Sequence, residues 1–112
     1  MKDDRLYLVH IRECIERIEA YVADGREVFL ADTKTQDAVL RNLQTLCEST
    51  QRLSVDQKLA HPSVDWQGIA GFRNVLVHEY LGISLKRAWE IVLRDLPPLK
   101  RDVLAMLEEL GE

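Results

Sequence analysis

The sequence predicts an all-α protein, an up-and-down bundle of about five helices. Apolar residues recur at steps of three or four along most of the chain, which is the spacing of one helix face. The alternation that is typical of half-buried strands is absent from the sequence, as are internal repeats and low-complexity tracts. With 112 residues, of which 46% are hydrophobic and 30% charged, we expect one domain that spans residues 1–112.

Two apolar stripes predict the first two long helices. The stripe of the first helix contains Leu8, Ile11, Ile15, Ile18 and Val22. Gly25 is expected to end this helix, because glycine tolerates the left-handed backbone that follows many helices. Thr33 and Gln36 have the spacing of a capping box and are expected to open the second long helix. The stripe of the second helix contains Val39, Leu43, Leu46, Thr50 and Leu53.

A polar connection over residues 54–63, marked by Pro62, is expected to precede the third helix. This helix should begin near Ser63 or Asp65 and end at Leu81-Gly82. Its stripe contains Trp66, Ile69, Phe72 and Leu76.

Two signals divide the remaining chain into a fourth and a fifth helix. Ser84 is expected to cap the fourth helix, whose stripe contains Leu85, Ala88, Trp89 and Val92. Pro97-Pro98 is expected to break the chain there, although Pro98 suits the first turn of a new helix. The last stripe contains Leu99, Val103, Met106 and Leu110.

Composition excludes some classes of protein. No apolar run approaches the roughly 20 residues of a membrane span, and the N-terminus lacks a signal-peptide core, so we expect a cytoplasmic protein. Cys14 and Cys47 are far apart and are expected to be buried thiols. The net charge is −4, but residues 73–101 hold six cations and three acids. This excess fits either a solvated surface or a phosphate-binding patch.

The segment from Arg73 to Tyr80 holds the candidate chemistry. On a regular helix Asn74 and His78 share one face, because they are four residues apart, while Phe72 and Leu76 lie roughly opposite. Arg73 lies at the margin, and its long stem lets the guanidinium swing toward His78. A guanidinium binds phosphate through paired donors, and an imidazole transfers protons near neutral pH.

Chance spacing explains an isolated arginine and histidine as well as function does, and Tyr80 alone fits a helix-end packing residue. Sequence patterns of other enzyme classes are absent. His10 and His61 share no ligand spacing with His78, so we expect no metal and no other cofactor. The sequence contains no glycine-rich phosphate loop and no nucleophile elbow.

The segment matches the RX4HXY motif, and the chain resembles the HepT-like branch of the HEPN superfamily. Arg73, His78 and Tyr80 hold the motif positions. The similarity extends to residues 66–72 before the motif and to residues 81–83, 92–97 and 31–43 around it. Family members often carry Gly-Glu-Ala in the second helix, where this chain has Cys47-Glu48-Ser49. This departure puts in question only the fine packing of that helix.

The resemblance implies a function as well as a HEPN-like fold. Members are metal-independent endoribonucleases that serve as toxins of type VII toxin–antitoxin systems and act as homodimers. Their motif-bearing helices face each other and form a composite cleft. The resemblance implies that Arg73 and His78 are catalytic toward RNA, and Asn74, one turn before His78, is expected either to orient the imidazole or to donate to phosphate. It also implies that an MntA-like nucleotidyltransferase antitoxin silences the toxin by moving AMP from ATP onto Tyr80.

Two other classes of function remain open at the level of sequence. The chain could be a noncatalytic helical module that binds a nucleotide, an RNA end or a nucleotidyltransferase through Arg73 and the C-terminal cations. The net charge of −4 favours this alternative slightly. A purely structural helical adaptor is the third possibility, and it leaves the outward polar face of the motif unexplained.

Overall fold

The computed structural model of the protein describes residues 2–79 and 82–111. Within these ranges the chain forms seven α-helices and one short π-helical segment, with no strand, which confirms the predicted all-α bundle. The elements are α1 (Lys2–Tyr21), α2 (Arg26–Ala31), α3 (Thr33–Gln51), α4 (Val55–Ala60), α5 (Trp66–His78), α6 (Leu85–Glu90), the π-helix (Ile91–Asp95) and α7 (Leu96–Glu109).

Helix α3 lies at the centre of the packing. It makes its most extensive contacts with α1 and then with α5, while α1 also packs against α7. The predicted stripes supply most of the core, in which each buried aliphatic side chain contributes about 1.5–3 kcal/mol. Core side chains with at most 2% exposure include Leu8, Ile11, Ile15, Ile18, Val39, Leu43, Leu46, Leu76, Val103 and Met106. Because α5 packs on α3, the position of the motif depends on the surface of α3.

Polar contacts also join α1 to its neighbours. His10 Nδ1 lies 2.6 Å from the hydroxyl of Ser49 on α3. Ser49 belongs to the step at which this chain departs from the Gly-Glu-Ala pattern, so the hydroxyl supports a side-chain contact that alanine would not make. Both cysteines are free and buried, as expected from their spacing.

The start of α3 differs from the prediction. Asp32, rather than Thr33, caps the helix: its carboxylate accepts hydrogen bonds from the Lys34 N–H and the Thr35 hydroxyl. Gln36 does not complete a capping box, because its amide donates to the carbonyls of Phe29 and Leu30 at 2.9 and 3.0 Å. The side chain of Gln36, which the local spacing assigned to the helix cap, therefore makes a buried contact with the end of α2 instead.

Two connections are also more helical than predicted. Helix α1 ends at Tyr21, and Gly25, with φ 99°, precedes α2 instead of directly following α1. Helix α4 lies in the supposed polar connection, where the hydroxyl of Ser54 accepts from the Gln57 N–H. None of the residues of α4 is buried, and both of its large apolar side chains are exposed, so this short helix has no buried apolar face.

The prolines do not break the chain. Helix α6, the π-helix and α7 follow one another without a loop, and Pro97 and Pro98 occupy the first turn of α7. Neither proline can donate to a preceding carbonyl, and each ring crowds the carbonyl four residues earlier. The wider π turn, in which the Leu96 N–H donates to the Ile91 carbonyl, accommodates this crowding. Among the described residues, no helix has the length and apolar character that crossing a membrane requires.

Candidate active site

Helix α5 carries the candidate residues Asn74 and His78 on its exposed side and packs its other side on the core. Its first turn is capped by Asp65, whose carboxylate accepts from the Gly68 N–H at 2.9 Å. Leu76 is 1% exposed and fixes the rotation of the helix on the core. Asn74 and His78 are exposed, as their spacing predicts. Phe72 is only half-buried, because it lines a cavity of about 370 Å³ between α3, α5 and the π-helix–α7 segment.

Arg73 lies at the edge of the interface between α5 and α3. Its side chain is 30% exposed, and its Nε is buried with no hydrogen-bond partner among the described residues. Its Nη1 donates to Oδ1 of Asn74 at 3.3 Å. The guanidinium thus contacts Asn74, which shares a helix face with His78. Because Nε is covered, a phosphate can approach only the terminal nitrogens.

Glu48 and Gln44 of α3 complete the surroundings of Arg73. Glu48 Oε2 lies 3.8 Å from Nη2 of Arg73, and the Gln44 amide donates to the same oxygen at 3.5 Å. Sequence reasoning did not assign either residue to the site. The available signal was Glu48 itself, the acidic residue retained within the step where the chain departs from the family pattern.

Among the described residues, no hydrogen bond joins Asn74 to the imidazole of His78. Since Oδ1 of Asn74 accepts from Arg73, the amide NH₂ group remains available as a donor. Of the two roles considered for Asn74, this geometry favours donation to phosphate over orientation of the imidazole.

His78 is the last residue of α5, and its imidazole has no hydrogen-bond partner among the described residues. The next backbone N–H, that of Glu79, still donates to the Val75 carbonyl at 2.9 Å, so the helical hydrogen bonding extends just past His78. The helix therefore ends earlier than the predicted Leu81-Gly82. Tyr80 lies outside the described residues.

The other two histidines have partners. His10 contacts Ser49, and His61 Nε2 lies 2.9 Å from a carboxylate oxygen of Glu109. Both side chains are half-buried. His78 is thus the one histidine of the three that is exposed and lacks a partner within the described chain.

The thiol of Cys47 lies near Glu48 and Arg73, but its raised pKa makes it unreactive as a nucleophile. Burial raises its pKa to about 12, and the negative charge of Glu48 also raises it, whereas the Arg73 charge lowers it. A thiol with this pKa stays protonated at neutral pH and is a poor nucleophile or metal ligand. Within residues 2–79 and 82–111, no group of three or more candidate metal-ligating side chains is present.

Comparison with known proteins places the chain in a family. The family model for ribonuclease HepT-like proteins matches residues 11–106, which include the whole of α5 and most of α1 and α7. The chain belongs to the HepT-like ribonuclease family. The RX4HXY resemblance is thereby confirmed at the level of the family, and no solved structure matches the chain significantly.

Individual relatives are similar over most of this chain. A Thermococcus cleftensis protein, whose name describes a ribonuclease HepT, is 39% identical over 84% of the chain and 86% of its own length. A Caldanaerobacter subterraneus protein named as an RNase is 34% identical over 97% of the chain and 98% of its own length. A Methanocaldococcus jannaschii protein, named as a gamma-glutamylcyclotransferase and RNase, is 36% identical over 99% of the chain, which spans 50% of that relative.

Proposed function

We propose that this protein is a metal-independent endoribonuclease and the toxin of a type VII, HepT/MntA-like toxin–antitoxin system. The observation that carries the proposal is the C-terminal half of α5, where the amide of Asn74 contacts the half-buried guanidinium of Arg73 and the exposed His78 follows Asn74 by one turn on the same helix face. Membership of the HepT-like ribonuclease family supports RNA as the substrate.

RNA provides its own nucleophile, so these groups suffice for cleavage. The 2′-hydroxyl attacks the adjacent phosphorus, the bond to the 5′-oxygen breaks, and a 2′,3′-cyclic phosphate forms. One proton leaves the 2′-hydroxyl and another reaches the departing 5′-oxygen. His78 serves as general base or general acid in these transfers. The terminal nitrogens of Arg73 stabilise the negative charge that develops on the phosphate oxygens.

A homodimer supplies the second proton-transfer group. One chain offers a single exposed histidine without a partner among the described residues, since His10 and His61 contact Ser49 and Glu109. A two-fold axis beside the exposed face of α5 brings two copies of His78 to one cleft. One copy can then act as base and the other as acid.

Tyr80 is the proposed point of control. In the reaction with the antitoxin, the phenol oxygen attacks the α-phosphorus of ATP, pyrophosphate leaves, and AMP becomes attached to Tyr80. The adduct adds bulk and a negative phosphate two residues after His78 in the chain. That charge competes with the RNA phosphate for Arg73. This part of the proposal rests on the motif position of Tyr80, because the residue lies outside the described part of the chain.

A noncatalytic binding module is the second candidate. The net charge of −4 favours it, since contact with a protein partner needs no basic surface. The Lys100 ammonium, one of the C-terminal cations through which this module would bind phosphate, is paired with Glu19 at 3.0 Å, which favours a protein partner over a nucleotide or RNA end for this candidate. RNA binding without turnover would favour this candidate.

Cleavage of an unstructured RNA in the presence of EDTA tests the enzymatic proposal. We expect turnover by the wild-type protein, products with 2′,3′-cyclic or 3′-phosphate ends, and no cleavage of the matching DNA. His78→Ala should lower the rate by roughly 10²–10⁴-fold, the usual contribution of a general acid or base. His61→Gln, a histidine change away from α5, is the control. Equal rates for His78→Ala and wild type contradict the mechanism, and binding without turnover supports the second candidate.

Mixed dimers test the composite cleft. Differently tagged wild-type and His78→Ala chains are co-expressed, and the heterodimer is purified by both tags. If one cleft uses both histidines, the heterodimer should fall far below half of wild-type activity. Half activity indicates two independent sites, and a monomer in light scattering rules out the dimer.

Modification of Tyr80 is tested separately. The protein is incubated with ATP and the nucleotidyltransferase encoded beside its gene, and its mass is then measured. We expect AMP adducts and loss of cleavage, both absent in Tyr80→Phe. Tyr7→Phe and Tyr21→Phe are the matched controls and should still be modified. Unmodified wild-type protein contradicts the proposed control by the antitoxin without affecting the test of cleavage.

A further inference from the structure

We propose that Glu48 is a positioning residue for Arg73, and that it holds the guanidinium with its terminal nitrogens open to phosphate. The inference rests on the proposed ribonuclease function and extends it to α3. It starts from the ion pair that Arg73 makes within the described part of the chain, in which Nη2 lies 3.8 Å from Oε2 of Glu48.

Only the terminal nitrogens of Arg73 make polar contacts that can fix the orientation of its guanidinium within the described chain. Nε is buried and has no partner among the described residues, so it cannot fix the orientation of the group. Nη1 contacts Asn74 and Nη2 faces Glu48, one on each side of the guanidinium. Removal of the Glu48 charge leaves Asn74 as the single polar contact of Arg73 in the described chain.

The distance to Glu48 suits positioning better than sequestration. A bidentate arginine–carboxylate pair with nitrogen–oxygen distances of about 2.7–2.9 Å would occupy the donors that phosphate needs. At 3.8 Å, Glu48 attracts the cation without saturating its donors. An incoming phosphate can therefore bind Nη1 and Nη2 while Glu48 limits how far the side chain swings.

The carboxylate of Glu48 is itself held in place. Gln44, one turn earlier on α3, donates to the oxygen that faces Arg73. Helix α3 is tightly packed against α1, so this oxygen lies on a rigid support. The side chain of Glu48 is 40% exposed, and exposed ion pairs contribute little to folding. Glu48→Gln should therefore fold normally, so that a change in its cleavage kinetics can be attributed to the site and not to misfolding.

The test compares Glu48→Gln with a matched ion-pair variant, Glu19→Gln. Glu19 pairs with Lys100 between α1 and α7, and the side-chain exposures, 49% and 29%, are close to those of the Glu48–Arg73 pair. For Glu48→Gln we expect kcat to fall on the order of tenfold, because small displacements of a catalytic group are costly, with KM for RNA unchanged or lower. Glu19→Gln should match the wild type in kcat.

A double-mutant cycle shows whether Glu48 acts through Arg73. In an Arg73→Lys background, which keeps the charge but loses the paired donors, Glu48→Gln should cause little further loss of kcat. Additive losses would overturn the proposal, because Glu48 would then act on its own. A gain in kcat/KM for Glu48→Gln overturns it too, since Glu48 would then compete with phosphate for Arg73.

A measurement without RNA separates this inference from the proposed function. The Nε–H resonance of Arg73 is assigned by its loss in Arg73→Lys, and its hydrogen exchange is then followed by NMR. Burial should protect this resonance in the wild type and in Glu19→Gln, and exchange should be faster in Glu48→Gln. Unchanged exchange contradicts the positioning role even if RNA is cleaved. Faster exchange supports it even if no RNA is cleaved.

Discussion

Arg73 donates a hydrogen bond to Asn74, its neighbour in the chain, with 3.3 Å between Nη1 and Oδ1. Consecutive residues on a helix point about 100° apart, so this contact depends on the length of the arginine side chain. It gives the Asn74 amide two faces: the oxygen steadies the guanidinium, and the NH₂ group is left for a ligand.

The two faces of Asn74 can be tested with two substitutions. Asn74→Asp keeps an acceptor for Arg73 but removes the donors and adds a negative charge. Asn74→Ala removes both functions. We expect Asn74→Asp to cleave RNA more slowly than Asn74→Ala, because the carboxylate repels phosphate and binds the guanidinium more strongly. Initial rates over a series of RNA concentrations measure this order. The reverse order would show that Asn74 acts only as an anchor for Arg73.

The rotation of α5 should depend on one buried side chain. Leu76 is 1% exposed, whereas the adjacent Val77 is 38% exposed. Leu76→Ala should lower the free energy of unfolding by about 2–5 kcal/mol, because it leaves a cavity in the core. Val77→Ala is the matched control and should cost less than about 0.5 kcal/mol. Urea denaturation followed by circular dichroism gives both values, and similar losses for the two variants contradict this account.

Asp4 should make stability depend on acid pH. Although its burial acts to raise its pKa, hydrogen bonds from the backbone N–H and hydroxyl of Ser54, both 2.8 Å long, lower the pKa below 3.8. The folded state thus favours the charged carboxylate. Its stabilisation is fully present above the unfolded pKa of about 3.9 and is lost as the pH falls through the lower folded pKa.

The substitution Asp4→Asn isolates this effect. At neutral pH it should lower the free energy of unfolding by about 1–3 kcal/mol, because two donors of Ser54 lose a charged acceptor. The difference from wild type should shrink as the pH drops below about 4. Asp24→Asn, an exposed change in the turn after α1, should cost little at neutral pH. A difference between Asp4→Asn and wild type that stays constant down to the acid limit of folding rules out this assignment.

Cys47 should resist thiol reagents in the native protein. Its pKa of about 12 and its 3% exposure both limit the thiolate that a reagent can reach, and Cys14 is fully buried. We expect reaction with an aromatic disulfide at pH 8 only at the rate at which the protein opens. Ala60→Cys, at an exposed position of α4, should react within the mixing time and serves as the control. Rapid labelling of native Cys47 would show that this part of α3 is accessible.

At two places in the chain the local sequence pattern predicts the wrong backbone conformation, and each error has a physical reason. Thr33 and Gln36 have the spacing of a capping box, yet Asp32 caps α3 because the amide of Gln36 reaches the end of α2. The paired prolines indicate a break, yet a π-helical turn carries the chain into α7 without one. In the first case a hydrogen-bond partner on another helix decides the conformation, and in the second a local change from α-helical to π-helical hydrogen bonding does.

The sequence by itself determined the helical class, the apolar stripes and the exposure of Asn74 and His78, because these follow from the 3.6-residue period of a single helix. The RX4HXY pattern also indicated the family. Only the tertiary structure decided that Glu48, whose carboxylate accepts from Gln44, faces Arg73 and that the Nε atom of Arg73 is buried. These contacts depend on how α5 is placed along α3, and that placement comes from core packing between segments that are distant in the chain.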